Sequence, residues 1–227
     1  MIKFENTEVI GWEAAIRGMR NPMNSWEKSD SKMYVITMNA EGFPEKHDFW
    51  IGPNDLNLMI RLRNAGTDHR KFMRMIAVYV DITAPLYWWK EFDTYKVGTV
   101  ANSCSTMHKI ADKEFELGDF AHEHLEGRAL NTLEDMVDEL NYWREYYLSM
   151  KVQRVVGADK KAKDIWWQMI QLLPSSYNQK RTVMLNYEVL ANIYKSRKNH
   201  KLDEWSVGFM EWIESLPYSE LITEKED

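Results

Sequence analysis

The feature that most restricts this chain is the run from Phe72 to Tyr95. It opens FMRMIAVYVDI, turns at Ala84-Pro85, and continues through Tyr87, Trp88, Trp89, Phe92 and Tyr95. A nearly unbroken apolar run bounded by a proline reads as a strand over Phe72–Ile82, buried on both faces. Thr83 and Pro85 then mark a helix entry, because proline fits a first turn where its missing N–H is not needed. The aromatic run faces either a ligand or the core. It empties into Thr99, Asn102, Ser103, Cys104 and Ser105. Hydroxyls and amides there are either ordinary loop polarity or groups gathered round an anion. Arg74 lies inside the apolar run, where a guanidinium needs a carboxylate partner or a ligand.

Around this run the periodicity is mostly helical. Trp12, Ala15, Ile16 and Met19 share a face of a short helix, Trp12–Arg20, which Asn21-Pro22 ends. Arg17 and Arg20 lie three apart on it, beside the polar loop Asn24–Ser31, as a solvated face or as phosphate contacts. Strands are expected over Lys3–Ile10, Met33–Met38 and Gln179–Leu185, with a turn at Ala40-Glu41-Gly42. Asn54 is expected to cap a helix over Asp55–Ala65 that buries Leu56, Met59, Ile60 and Leu62 and stops at Gly66. The longest helix is expected over Asn131–Met150, capped by Asn131 or Thr132. Its stripe of Leu133, Met136, Val137, Leu140, Trp143, Tyr147 and Leu148 is core or subunit contact. Further helices are expected over Asp159–Leu173, from Asn186 through Lys195, and over Leu202–Leu216. The last carries Trp205, Phe209, Trp212, Ile213 and Leu216 on one side. Arg197, Lys198, His200 and Lys201 gather where the Asn186 helix ends, a place that favours cations or a bound phosphate. The tail TEKED is expected to fray.

Several classes are argued against. A formal net charge of −6 disfavours a general nucleic-acid or anionic-membrane binder. One cysteine, Cys104, excludes an internal disulfide and fits a reducing compartment. No apolar run nears the roughly 20 residues of a membrane span. MIKFENTEV lacks an apolar signal region, so a cytoplasmic location is expected. His122 and His124, two apart on an expected helix over Phe115–His124, point away from each other, and no metal site is expected. The ten tryptophans exceed what a core needs and suggest flat surfaces for a ligand or subunit interface.

In this order the residues resemble the flavin-dependent thymidylate synthases, in a divergent, phage-type form. In that family a helix and a buried strand lead to Ala-Pro and an aromatic helix, followed by Arg-His-Arg-x-x-Ser-x-Asn-x-x-Ser-x-Arg. The matching runs here are LMIRLRNAG, FMRMIAVYVDITAPLYWW and KEFDTYKVGTVANSCSTMH. LLPSSYNQKRTVMLNYEVLANIYKSR matches the family's Leu-Pro, strand, and helix with an early asparagine and a closing arginine. RGMRNPMNS resembles the early Ala-Ala-Arg-x-Ser. The likeness runs from about Asn54 to Gly208. Thr94-Tyr95-Lys96 stand where the family has Arg-His-Arg, Met107 replaces the final Arg, and one extra residue separates Thr99 from Asn102. Lys90 and Glu91 stand for Arg and Gln, and Arg74 for a histidine that helps hold the flavin. Asn102 and Ser105 keep their mutual spacing.

The resemblance implies one α+β domain over residues 1–227, with a mixed or antiparallel central sheet flanked by long helices, assembled as a homotetramer with sites at subunit interfaces. It implies FAD as cofactor and a pyrimidine deoxynucleotide, dUMP, as substrate. Methylenetetrahydrofolate and NADPH follow as co-substrates for reductive methylation to dTMP. It assigns His69, Arg74, Tyr95, Lys96, Asn102 and Asn192 to the cofactor. Arg20, Lys90, Glu91, Thr99, Ser105 and Arg197 fall to the nucleotide, with Arg197 as the catalytic residue that binds and activates the uracil. Two lost signature arginines, at roughly 1.5–3 kcal/mol per charged hydrogen bond, weaken an anionic ligand substantially. Two other readings therefore stand beside it: a relative acting on another pyrimidine nucleotide, and a non-catalytic oligomeric protein on the same scaffold.

Overall fold

Strand β1 (Lys3–Ile10) and helix α1 (Trp12–Arg20) have the expected bounds. Gly11 joins them at φ 98°, where an added Cβ would lie 2.1 Å from the Met75 carbonyl oxygen, so only glycine fits. A computed structural model describes residues 2–41, 44–152 and 158–223, with residues 44–47 and 158 described by backbone alone. The loop after α1 holds two 3-10 turns, Asn21–Met23 and Trp26–Lys28. Strands β2 (Lys32–Met38) and β3 (Pro44–Trp50) then pair antiparallel, Tyr34 opposite Asp48. PEKHDFW carries no apolar alternation, which is why β3 was not legible. Of the expected turn, Gly42 lies outside the described residues.

Helix α2 (Pro53–Asn64) places Gly52 at its N-cap and Asn54 inside its first turn. The Asp30 carboxylate accepts the N–H groups of Asn54 and Asp55 at 3.0 and 3.1 Å. A carboxylate from outside the helix thus takes the capping role expected of Asn54, and adds a favourable charge to the dipole. Met59 is fully buried, while Leu56, Ile60 and Leu62 are partly so.

The apolar run divides. Arg70–Met75 is a 3-10 turn, and strand β4 covers Ala77–Pro85 rather than Phe72–Ile82. The turn buries Phe72 and Met73, and Ile76 follows it inward, so a turn and a strand together imitate one apolar segment. β4 itself alternates: Val78, Val80, Ile82 and Ala84 are buried while Tyr79 is exposed, so only one face is covered. Arg74 therefore sits on the turn, not in the strand. Helix α3 (Leu86–Phe92) follows at once. Trp88 and Trp89 have no exposed surface, and Trp88 stacks on Phe92 at 5.1 Å, so this pair serves the core. Strand β5 (Val100–Ser103) and the short helix α4 (Thr106–Lys109) occupy what was expected to be a polar loop.

The segment around His122 is not helical beyond a 3-10 turn, Leu117–Asp119. Helix α5 (Arg128–Val152) begins before Asn131 and Thr132, which lie within it. Helix α6 (Ala158–Leu172), strand β6 (Asn178–Asn186) and helix α7 (Tyr187–Arg197) follow. The expected last helix is a π-helical stretch, Glu204–Phe209, continued by α8 (Met210–Glu214). Trp205, Phe209, Trp212, Ile213 and Leu216 are all buried as expected. A short α9 (Glu220–Thr223) comes next, and the rest of TEKED lies outside the described residues.

The architecture is α+β. Four strands form one sheet in the order β1-β4-β6-β5, and β2–β3 is a separate ribbon. The chain divides into two compact units of non-contiguous segments. The first takes Met1–Glu5, Asp81–Thr94 and Ala101–Thr182, with a core in which Leu133, Val137 and Leu140 of α5 meet Phe120 and Met169. The second takes Asn6–Val80, Tyr95–Val100 and Val183–Asp227. There Trp12 meets Tyr187 edge-on at 5.1 Å, and the Tyr187 hydroxyl donates to the Pro217 carbonyl. Burial pushes that phenol's pKa up. No described helix is long and apolar enough to cross a membrane.

Candidate functional site

Helix α7 organises the polar chemistry of the second unit. Asn186 caps it as expected, its side-chain oxygen accepting the Val189 N–H at 3.1 Å. The segment Tyr95–Val100 lies along this helix. Gly98, at φ 78°, approaches the first turn so closely that an added Cβ would lie 2.9 Å from the Asn186 amide nitrogen. Tyr95 meets the last turn, its hydroxyl 3.1 Å from Ser196 Oγ. The Thr99 hydroxyl donates to the Tyr95 carbonyl and tightens the segment.

Arg197 closes the helix. Its Nε donates to the Tyr95 hydroxyl at 2.8 Å. Its guanidinium carbon lies 5.7 Å from the Tyr95 ring centre and 5.1 Å from that of Trp205. Trp205 is fully buried, so it is a fixed surface for the cation. Two rings and a hydroxyl hold one always-charged group in a set orientation.

At the other end of α7, the buried Glu188 gathers two arginines. Arg74 donates to its carboxylate from both Nε and Nη2, and Arg70 Nε lies 3.6 Å away. The Glu188 hydrogen bond and charge push the Arg74 guanidinium's pKa up further. Arg74 thus has the carboxylate partner that one reading gave it, and its side chain remains 57% exposed. Arg70 Nη2 also reaches the side-chain oxygen of Asn192, one turn along α7 from Glu188, at 3.5 Å. Two guanidiniums share one carboxylate beside an exposed amide, and the Asp68 charge also acts on Arg74. His69, next to Arg70, lines a cavity of about 670 Å³ with Met19, Phe72 and Met75. Lys96 is exposed.

Arg20, expected at the nucleotide, is committed elsewhere. It is buried, with Nε on Asp55 at 2.7 Å, Nη1 on the Ser25 carbonyl at 3.2 Å and Nη2 on the Lys28 carbonyl at 3.1 Å. Asp55 also accepts the hydroxyls of Ser29 and Ser31 at 2.7 and 2.6 Å. Burial works to raise the Asp55 pKa, but the Ser31 and Ser29 hydroxyls and the Arg20 guanidinium outweigh it and hold it below the usual carboxylate value. Arg20 therefore shapes the loop after α1, with all three of its nitrogens engaged by Asp55 and two carbonyls.

The other expected residues belong to the first unit. Lys90 is exposed on α3, and the Glu91 carbonyl accepts the Thr94 hydroxyl at 2.7 Å. Asn102 is exposed on β5. Ser105 caps α4, accepting the His108 N–H at 3.3 Å. Sequence reasoning passed over Arg181, whose guanidinium lies 4.2 Å from the Trp89 ring centre and bonds Asp93 at 2.7 Å and Gln179 at 3.0 Å. It also passed over Arg70 and Glu188. Arg70 and Arg74 are four apart, a spacing that invites a shared partner, but nothing local to Glu188 signals a partner 114 residues upstream. Among the described residues no group of side chains suits a metal ion.

No family model matches this sequence, and no curated protein matches it. Solved structures do. Thymidylate synthase X (ThyX) from Helicobacter pylori with FAD and dUMP superposes with a TM-score of 0.64 at 15% identity, over 100% of this chain and 98% of that one. A second structure of the flavin-dependent thymidylate synthase ThyX from H. pylori, complexed with FAD and dUMP, gives 0.62 at 15% identity, over 98% and 99%. At that identity the likeness establishes the fold: the chain has the ThyX fold along its length.

Proposed function

We propose that this chain, on the ThyX fold, is a flavin-dependent thymidylate synthase-like enzyme that methylates dUMP reductively to dTMP. Methylenetetrahydrofolate donates the carbon, NADPH the reducing equivalents, and FAD is the cofactor. The observation that carries the reading is Arg197, held by Tyr95 and Trp205 at the end of α7. A guanidinium fixed before its ligand arrives polarises a pyrimidine carbonyl without reorganising at the moment of reaction. Arg197 thus binds the uracil and draws electron density from its ring. Lys96 offers a phosphate a point charge rather than a two-pronged contact. Thr99, Ser105, Lys90 and Glu91 are the further nucleotide contacts, and Arg20 is withdrawn from that set.

The cluster that the 3-10 turn and α7 form around Glu188 suits the cofactor. Arg70, Arg74 and Asn192 offer guanidinium and amide donors, which suit the diphosphate of FAD. His69, Tyr95, Lys96 and Asn102 complete the proposed cofactor set. Bound FAD supplies hydride transfer, while the chain's own groups bind and orient. Sites at subunit interfaces require the homotetramer, which sedimentation equilibrium reads directly: a monomer at working concentration contradicts it.

A non-catalytic oligomeric protein on this fold is the competing reading. Glu188 favours it, because its carboxylate lowers the positive charge that an anion would meet. Tritium release from dUMP labelled at the reacting ring carbon separates the two. The synthase releases tritium when FAD, NADPH and methylenetetrahydrofolate are all present. No release, from a folded protein, leaves the non-catalytic reading; release from a different labelled pyrimidine nucleotide instead identifies a relative with another substrate.

A further inference from the structure

We propose that Ser196 is a positioning residue, one that sets the direction of the hydrogen bond by which Tyr95 holds Arg197. All three lie in the second unit, Ser196 and Arg197 in the last turn of α7 and Tyr95 on the segment beside it. Their polar atoms follow one another in a series. Arg197 Nε is 2.8 Å from the Tyr95 hydroxyl oxygen, and that oxygen is 3.1 Å from Ser196 Oγ. Ser196 Oγ in turn is 3.0 Å from the Asn192 carbonyl oxygen and 3.2 Å from that of Ile193.

The chemistry of the two ends gives the series one direction. A guanidinium N–H only donates, and a carbonyl oxygen only accepts. The Tyr95 oxygen therefore accepts from Arg197. At the other end the Ser196 proton goes to the α7 carbonyls, the bond a helical serine commonly makes to the residue four before it. With its own proton spent there, Ser196 Oγ meets Tyr95 as an acceptor, and the Tyr95 proton points to it. The reverse direction would take the Ser196 proton from the α7 carbonyls and turn the phenol proton away from both.

This direction bears on Arg197. A phenol whose proton is drawn to one side presents its lone pairs on the other, and each bond in such a series strengthens the next. Trp205 gives the guanidinium a face to rest on, at 5.1 Å. The aligned Tyr95 oxygen adds a fixed bearing for Nε. The consequence for dUMP rests on the reading of Arg197 proposed above, whereas the direction of the series does not.

Ser196→Ala and Ser196→Thr in the full-length protein, and Ser196→Ala combined with Tyr95→Phe, test it. Ser196 is exposed and alanine favours a helix, so Ser196→Ala should melt no lower than wild type. Threonine keeps a hydroxyl that bonds the same carbonyls. The first readout needs no nucleotide: exchange of the Arg197 Nε proton with water, followed by nitrogen-15 NMR on the signal that Arg197→Lys removes. Exchange should be about fivefold faster in Ser196→Ala, one neutral hydrogen bond's worth, and like wild type in Ser196→Thr. In Tyr95→Phe it should already be fast, and adding Ser196→Ala should change nothing more, because Ser196 acts through the phenol. The second readout is dUMP titration, in which affinity should fall about fivefold in Ser196→Ala and return in Ser196→Thr. A wild type that ignores dUMP yet shows this exchange pattern would end the nucleotide reading and leave the role of Ser196 standing. That role is overturned if Ser196→Ala exchanges like wild type, solvent then serving the phenol equally well. It is overturned too if threonine does not restore slow exchange, or if Ser196→Ala acts equally with and without the Tyr95 hydroxyl.

Discussion

Two arginines of α1 and α7 show how little a residue's type says about its use. Arg20 is spent on Asp55, and its partner is 35 positions away, so no local pattern announced it. The place of Arg197 at the close of a helix was legible, because a helix with an early asparagine and a closing arginine resembles a known arrangement; its hydrogen bond with Tyr95 was not. Removing one side of the buried Arg20–Asp55 pair strands the other charge. Asp55→Asn should therefore cost about 3–5 kcal/mol in urea unfolding at neutral pH. The sign with pH follows from the Asp55 carboxyl, held below its ordinary 3.8. Its contribution is complete above about pH 4 and is lost as pH falls below that, through the folded-state value. The variant should lose that acid slope; a slope equal to wild type would show that Asp55 does not carry it. Tyr95→Phe keeps the ring and deletes the hydroxyl that fixes Arg197. It should leave the melting temperature within a few degrees and weaken dUMP binding roughly tenfold by titration. Unchanged affinity would remove Tyr95 from the positioning of Arg197.

At the scale of elements, helices with a clear apolar face were readable almost to their ends: α1, α5, α6 and α7 all lie where their periodicity put them. The failures have local causes. A 3-10 turn that buries Phe72 and Met73 merged with β4 into one apparent strand. The α2 cap went to Asp30, a group outside the helix that no helix-local rule identifies. The loop expected after the aromatic helix is in part strand β5, because edge pairing and not composition decides a four-residue strand. Gly98 ties segment to helix: its φ of 78° and the close Asn186 amide leave no place for a side chain. Gly98→Ala should disturb the α7 cap and cost about 1–2 kcal/mol by chemical denaturation. An Ala variant as stable as wild type would mean that the approach relaxes freely.

For the molecule as a whole, the sheet order β1-β4-β6-β5 was beyond periodicity, which identifies strands but not their neighbours. The resemblance supplied the fold that the solved ThyX structures share at 15% identity. It could not supply how replaced signature residues are compensated. The described structure places Arg70, Arg74 and Glu188 together where the sequence had shown one isolated arginine. In the second unit several apolar side chains stand exposed. Val97 is 90% exposed on the segment that carries Tyr95, and Met33, Ile36 and Met38 are exposed along β2. Such surface accords with the proposed subunit interfaces. The central claim is that Arg197 presents a nucleotide to a flavin. Its most direct measurement is the visible spectrum of the protein, incubated with FAD, gel-filtered and titrated with dUMP. The account predicts a yellow protein whose flavin bands shift on adding dUMP in the wild type, and a yellow protein without that shift in Arg197→Ala. A folded protein that elutes colourless, or an Arg197→Ala variant that responds to dUMP like wild type, would contradict it.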